Sequence, residues 1–168
     1  MEIFEKPIKL IISEIDGVLT DGTYAEDELG NILYKSFNHK DFSAINELKK
    51  YYKLVFISDD NRINYHMCQR RNLPFYWCKG AVEKHSTLLE ISRKYNTSLE
   101  NIIYIGAKIS DKKCLQAVPH SMCPDDAGET LKNIVWAQFL IAGGKGIFVE
   151  LLDLLGDNIN LIKSEELS

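Results

Sequence analysis

The sequence predicts a doubly wound α/β sandwich: a parallel sheet with helices on both faces. Two observations carry this. Short apolar runs bounded by turn residues alternate along the chain with stretches of helical period. The runs are continuous rather than alternating with polar residues, as strands buried on both faces require. The first run, Ile8-Lys9-Leu10-Ile11-Ile12, leads into Ser13-Glu14-Ile15-Asp16-Gly17, two carboxylates two residues apart and then a glycine turn. In open α/β sheets the carboxyl ends of strands are where ligands bind.

The remaining elements follow in order. Thr23-Tyr24-Ala25 and residues 32–37 flank a turn with Gly30-Asn31, the pattern of a β-hairpin. Residues 41–51 have helical spacing through Ile45, Leu48 and Tyr52, and Leu54-Val55-Phe56-Ile57 is a strand ending at Ser58. A helix over 61–71 stops at Leu73-Pro74, and Phe75-Tyr76-Trp77-Cys78 is a short strand. Residues 83–95 form an amphipathic helix opened by Lys84, 102–106 a strand and 111–118 a short helix. Strands at 120–123 and 135–139 enclose a helix at 129–133, and Gly143-Gly144-Lys145-Gly146 introduces a helix reaching Leu155. The expected organisation is one domain over residues 1–155 and a polar C-terminal tail over 156–168.

Composition narrows the function classes. With 168 residues, 45% hydrophobic and 26% charged, the chain has the balance of a globular domain large enough for a sizeable core. A net charge of −4 argues against nucleic acid as a partner. No apolar run is long enough to span a bilayer, and the first five residues lack a signal-peptide pattern, so membrane partners are not expected and a cytoplasmic location is. Cys68, Cys78, Cys114 and Cys123 lack metal-ligand spacing and read as reduced thiols.

Polar groups expected at strand ends and helix starts converge: Glu14 and Asp16, then Ser58, Lys84 and Asp111. A carboxylate pair, a hydroxyl, a lysine and a later acid, in that order, resemble the four motifs of the haloacid dehalogenase (HAD) superfamily of phosphatases. The run from Asp16 to Gly22, the hairpin with Gly30-Asn31, Asp41, Gly80 to Lys84, Tyr104-Ile105-Gly106 and the late glycine loop extend the likeness over nearly the whole chain. They resemble the 3-deoxy-D-manno-octulosonate 8-phosphate phosphatases, the sialic-acid-type 9-phosphate phosphatases and the C-terminal domain of animal CMP-sialic acid synthetases. The resemblance implies a capless HAD-like Rossmannoid fold and a homotetramer whose hairpins pack together. It also implies a nucleophile at position 14, a general acid and base at Asp16, phosphate-binding groups at Ser58 and Lys84, and Mg²⁺ held by Glu14, Asp16 and an aspartate of the last motif.

The chain departs from that pattern where chemistry is most sensitive. The nucleophile position is Glu14 rather than aspartate, and the metal-binding position of the last motif is Ala107 beside Lys108, leaving Asp111. Glutamate moves its oxygens by about one bond, and a misplacement of ~1 Å can lower a rate on the order of 100-fold. Ala107 removes an oxygen ligand from an ion that demands near-octahedral geometry, and Lys108 can substitute electrostatically for the ion. Asp59-Asp60 after Ser58 should repel a phosphorylated sugar acid, and one of them can at the same time cap the next helix; Phe42 after Asp41 should obstruct substrate.

The leading expectation is a HAD-fold protein with lost or strongly impaired Mg²⁺-dependent phosphatase activity. It would keep an assembly, regulatory or ligand-binding role near nonulosonate or surface-sugar biosynthesis, accepting a small anionic ligand or sugar phosphate. The alternative is an active phosphatase of 3-deoxy-D-manno-octulosonate 8-phosphate or a related ester, with Mg²⁺ as cofactor; the leading reading needs no cofactor. A receiver-like signalling domain also places acids, a hydroxyl and a lysine on such a sheet. The hairpin and the Gly80-to-Lys84 spacing weigh against it.

Overall fold

The computed structural model describes residues 4–166; residues 1–3 of the N-terminal stretch and 167–168 of the expected tail lie outside the described residues. Strand β1 (Leu10–Glu14) is followed by the hairpin β2 (Ala25–Glu26) and β3 (Ile32–Tyr34), then α1 (His39–Leu48), β4 (Lys53–Ser58), α2 (Ile63–Arg70) and β5 (Phe75–Trp77). The second half runs α3 (Gly80–Lys94), β6 (Ile102–Ile105), α4 (Lys112–Ala117), β7 (His120–Cys123), α5 (Glu129–Lys132), β8 (Ala137–Gln138), α6 (Ile147–Leu154) and α7 (Gly156–Glu166), with single 3₁₀ turns before β6 and α4.

Six strands form one sheet in the order β5-β4-β1-β6-β7-β8, every pair parallel, while β2 and β3 pair antiparallel beside it. This is the expected doubly wound α/β fold. Alternate strand residues serve two cores, as a period of two dictates. Ile11, Phe56, Ile103 and Ile105 pack with Ile45, Leu48, Met67, Phe148 and Leu151 on one face. Leu10, Ile12, Val55, Ile57 and Tyr104 pack with Leu88, Ile91, Cys114 and Leu131 on the other. All four cysteines are buried and free.

Among the boundaries that differ from expectation, three bear on the site and the core. Helix α1 begins at His39 because Asn38 caps it, accepting from the Lys40 amide at 3.0 Å. Helix α3 begins at Gly80, so Lys84 lies in its second turn, not at its start. From Gly156, where a polar tail was expected, the chain continues as α7, whose Ile159 joins the core beside Leu155. The apolar spacing of Leu155, Ile159 and Ile162 marks that face.

The chain order outward from β1 reverses between β4 and β6, the topological switch point, so the carboxyl end of β1 opens into the crevice. The turn after β1 is held tightly. A Cβ on Gly17 would sit 2.8 Å from the Ala107 Cβ, and one on Gly143 only 1.9 Å from the Gly17 carbonyl oxygen. The late glycine loop closes on this turn, with Gly144 donating to the Val18 carbonyl at 2.8 Å.

Candidate active site

Glu14 is the last residue of β1 and is fully buried. One of its oxygens pairs with the Lys84 ammonium, which also bonds Asp111 Oδ1 at 2.8 Å and Ser110 Oγ at 2.9 Å. An ammonium has three protons to donate, so Lys84 is saturated. Asp111 is saturated as well. Its Oδ1 takes the Tyr104 hydroxyl at 3.0 Å, and its Oδ2 takes the Ala107 and Lys108 amides at 3.0 and 2.9 Å. Burial pushes Glu14 up to about 7, helped by Asp111 and opposed by Lys84 and Lys108. Burial alone would lower Lys84, but Glu14 and Asp111 overcome it and hold the ammonium above the usual lysine value.

The second carboxylate is pinned differently. Asp16 Oδ2 takes the Lys35 ammonium and the Asn64 amide, each at 2.8 Å. Lys35 reaches in from the segment after β3 and pairs also with Asp60 Oδ2 at 2.8 Å. Asn64, on α2, also donates to Ser58 Oγ at 2.8 Å. Ser58 accepts the Asp60 amide at 3.1 Å and is itself fully buried. Of the two extra acids after Ser58, Asp60 caps α2, its Oδ1 accepting the Arg62 and Ile63 amides at 2.8 and 3.1 Å. Asp59 instead faces Lys108.

Lys108 and Asp111, three residues apart, do not pair through their side chains as a surface pair would. The Lys108 ammonium lies 3.1 Å from Asp59 Oδ1 and 3.9 Å from Glu14 Oε1. Burial works against its charge, while Glu14, Asp59 and Asp16 together raise it above the usual lysine value. Burial raises Asp59 in turn, but Lys108 outweighs that and holds it below the usual carboxylate range.

Outside this cluster opens a cavity of about 510 Å³, lined by Asp16, Asp21, Asp59 and Asp126 with Lys35 and Lys108. Both lysines are spent on acids, which leaves the lining short of positive charge for a dianionic ester. Glu14, Ser58, Lys84 and Asp111 do not line it.

Glu14, Asp16, Ser58, Lys84, Lys108 and Asp111 thus come together as expected, and Asp41 does not join them. Its Oδ1 accepts the Phe148 amide at 2.8 Å, so it caps α6 from α1, and burial pushes it up to about 6. Phe42 does not obstruct the cavity. It packs in the core against Phe37 and under the Arg71 guanidinium, 3.8 Å from its ring centre. Sequence reasoning missed Lys35, Asn64, Ser110 and Tyr104. Asn64 carried a signal: a polar residue three and four positions before Met67 and Cys68, on the buried face of α2.

The acids retain an arrangement that suggests a metal. Glu14, Asp16 and Asp59 each bring a carboxylate oxygen within 4.8 Å of the others. These residues do not fit Mg²⁺ as they stand. Each carboxylate already holds a lysine ammonium, and Asp111 turns its oxygens to Lys84, Tyr104 and two amides.

Known proteins complete the description. No protein-family model matches the chain. It is 29% identical over 150 residues, 88% of this chain and 82% of the relative, to the 3-deoxy-D-manno-octulosonate 8-phosphate phosphatase KdsC of Haemophilus influenzae. The cobalt-bound structure of a Haemophilus influenzae phosphatase of that specificity superposes with a TM-score of 0.80 at 28% identity, covering 88% of this chain and 86% of that one. A HAD superfamily subfamily III A hydrolase of Legionella pneumophila gives 0.82 at 27% identity, covering 91% and 84%. The curated and structural neighbours of the chain are KdsC-type phosphatases and hydrolases of the HAD superfamily. At 20% identity, the Moraxella catarrhalis phosphatase in complex with magnesium, phosphate and KDO shares this KdsC-type fold with a TM-score of 0.82, over 94% of this chain and 92% of that one. No helix among the described residues is long and apolar enough to cross a membrane.

Proposed function

We propose that this chain is a cytoplasmic, homotetrameric KdsC-type protein with lost or strongly impaired phosphatase activity. It keeps an assembly, regulatory or ligand-binding role near nonulosonate or surface-sugar biosynthesis. One observation carries the reading. The three groups that would have to touch a phosphoryl group, Glu14, Ser58 and Lys84, are fully buried and sealed from the cavity. Glu14 is bound to Lys84 and Lys84 has no proton left to offer, so neither attack on phosphorus nor grip on its oxygens is available without dismantling the buried cluster. Asp16, the general-acid position, is held between Lys35 and Asn64, both of which donate to its Oδ2. Such a site binds; it does not turn over.

Kinship with KdsC favours the second reading, a phosphatase acting on 3-deoxy-D-manno-octulosonate 8-phosphate or a related ester. Phosphate release from that substrate in millimolar Mg²⁺ separates the two. The expected result is no turnover above background. Mg²⁺-dependent release that disappears in Lys84→Ala would establish the second reading.

A further inference from the structure

We infer that Lys108 is a tethered cation occupying the place of a divalent ion among Glu14, Asp16 and Asp59, and that its ammonium closes the space between those three carboxylates to metal. This rests on the reading of an impaired phosphatase and extends it to the site's choice of cation.

Three facts meet at one point. The carboxylates come from separate elements, the end of β1, the turn after it and the loop after β4, yet one oxygen of each lies within 4.8 Å of the others. Carboxylates gathered so closely repel one another unless a cation stands between them. The cation is supplied from the loop after β6, where the Lys108 ammonium lies 3.1 Å from Asp59 and 3.9 Å from Glu14. Ala107, next to it, contributes only a methyl group, packed so close to Gly17 that a Cβ there would lie 2.8 Å away. The third acid therefore comes from Asp59, which no motif of the family reading assigned.

An ammonium differs from a divalent ion in a way that can be measured. It is covalently attached, so the site is neutralised at any metal concentration and folding does not wait on metal. It brings one positive charge instead of two and cannot gather six oxygens in an octahedron. The Lys108 side chain is one-third exposed, so shortening or neutralising it leaves the core intact. Lys84 and Lys35 remain on their own partners and do not lie between Glu14 and Asp59.

The test uses Lys108→Met, which keeps the aliphatic stem, and Lys108→Gln as a second neutral variant, with MgCl₂ and MnCl₂ as probes. In EDTA both variants should melt a few degrees below wild type. Saturating metal should raise their midpoints by roughly 5 °C, as ligand linkage requires. Adding Asp59→Asn to Lys108→Met should abolish that rise. Wild type should show no rise, and the electron paramagnetic resonance signal of Mn²⁺ should stay that of the free ion in its presence. That last measurement does not depend on a variant folding. A metal-dependent rise in wild type, Mn²⁺ signal loss in wild type, or variants indifferent to both metals would each overturn the inference. Phosphate release by wild type would sink the functional reading instead, while the melting arms would still judge Lys108.

Discussion

Replacing Lys84 with methionine separates a phosphate-binding lysine from a structural one. In an open phosphatase site the ammonium faces the cavity, so its loss abolishes turnover and hardly affects stability. Here the ammonium is fully buried and bonded to Glu14, Asp111 and Ser110. Its removal leaves two buried carboxylates facing each other. Removing one partner of a buried ion pair costs about 3–5 kcal/mol, mostly through the charge left behind. For a chain of this length each kcal/mol moves the melting midpoint about 2–4 °C, so Lys84→Met should melt roughly 6–20 °C below wild type. The loss should be smaller at pH 5 than at pH 8, because protonating Glu14 removes the repulsion. Adding Glu14→Gln should return about 1–3 kcal/mol, a coupling that a double-mutant cycle by urea denaturation resolves. Asp111 still has Tyr104 and two backbone amides to hold it in that double variant. A Lys84→Met protein within ~1 kcal/mol of wild type at pH 8 would refute the buried-cluster reasoning.

Three further outcomes follow from other parts of the fold. Asp41 sits at about 6, above its ordinary 3.8, so its folded form holds a proton that the unfolded chain releases earlier. Its contribution is therefore full below pH 3.8 and is lost as pH rises through about 6. Asp41→Asn should remove roughly 3 kcal/mol of that decline, measured as the wild-type-minus-variant difference in chemical denaturation across the interval. The hairpin exposes Leu29, Leu33 and Tyr34, at 81%, 58% and 65%, an apolar patch suited to self-association. Light scattering should give a tetramer for wild type and smaller species for Leu33→Asp; a monomeric wild type would remove the assembly role. Gly143→Ala places a methyl 1.9 Å from the Gly17 carbonyl oxygen. Because both sides of that clash are backbone, it should cost about 3 kcal/mol or more in thermal melts, and a neutral substitution would mean the two loops do not pack as described.

How much of this the sequence disclosed depends on the range of the interaction. The strands were legible because runs such as Leu54-Val55-Phe56-Ile57 must be buried on both faces, and a buried strand has few alternatives. The order of Glu14, Asp16, Ser58, Lys84 and Asp111 was legible for the same reason, since a parallel sheet sends every strand's carboxyl end to one edge. What those side chains do on arrival was not. Lys84 looks the same in sequence whether its ammonium faces a ligand or is consumed by two acids; the difference lies in contacts 70 and 27 residues away. Asp59 and Asp60 carry identical side chains one residue apart, yet one caps α2 and the other holds Lys108 across the crevice. Asp41 was assigned to the site by resemblance, and α6, 107 residues downstream, claimed it.

Lys35 is the instructive miss. A lysine just past a hairpin strand reads as solvated, and only the fold of the hairpin over the sheet edge brings it to Asp16 and Asp60 and leaves its side chain 2% exposed. Its presence changes the charge balance on which the loss-of-metal reading depends. The local motifs name Glu14, Asp16 and Asp111 against Lys84 and Lys108; the assembled site has Glu14, Asp16, Asp59, Asp60 and Asp111 against Lys35, Lys84 and Lys108. The excess of acid grows by one, yet every acid in the set has a specific ammonium within 4 Å. Net charge alone would therefore have argued for a divalent ion here. The pairing argues against it, because a metal can enter only by displacing an ammonium that is covalently tied to the chain.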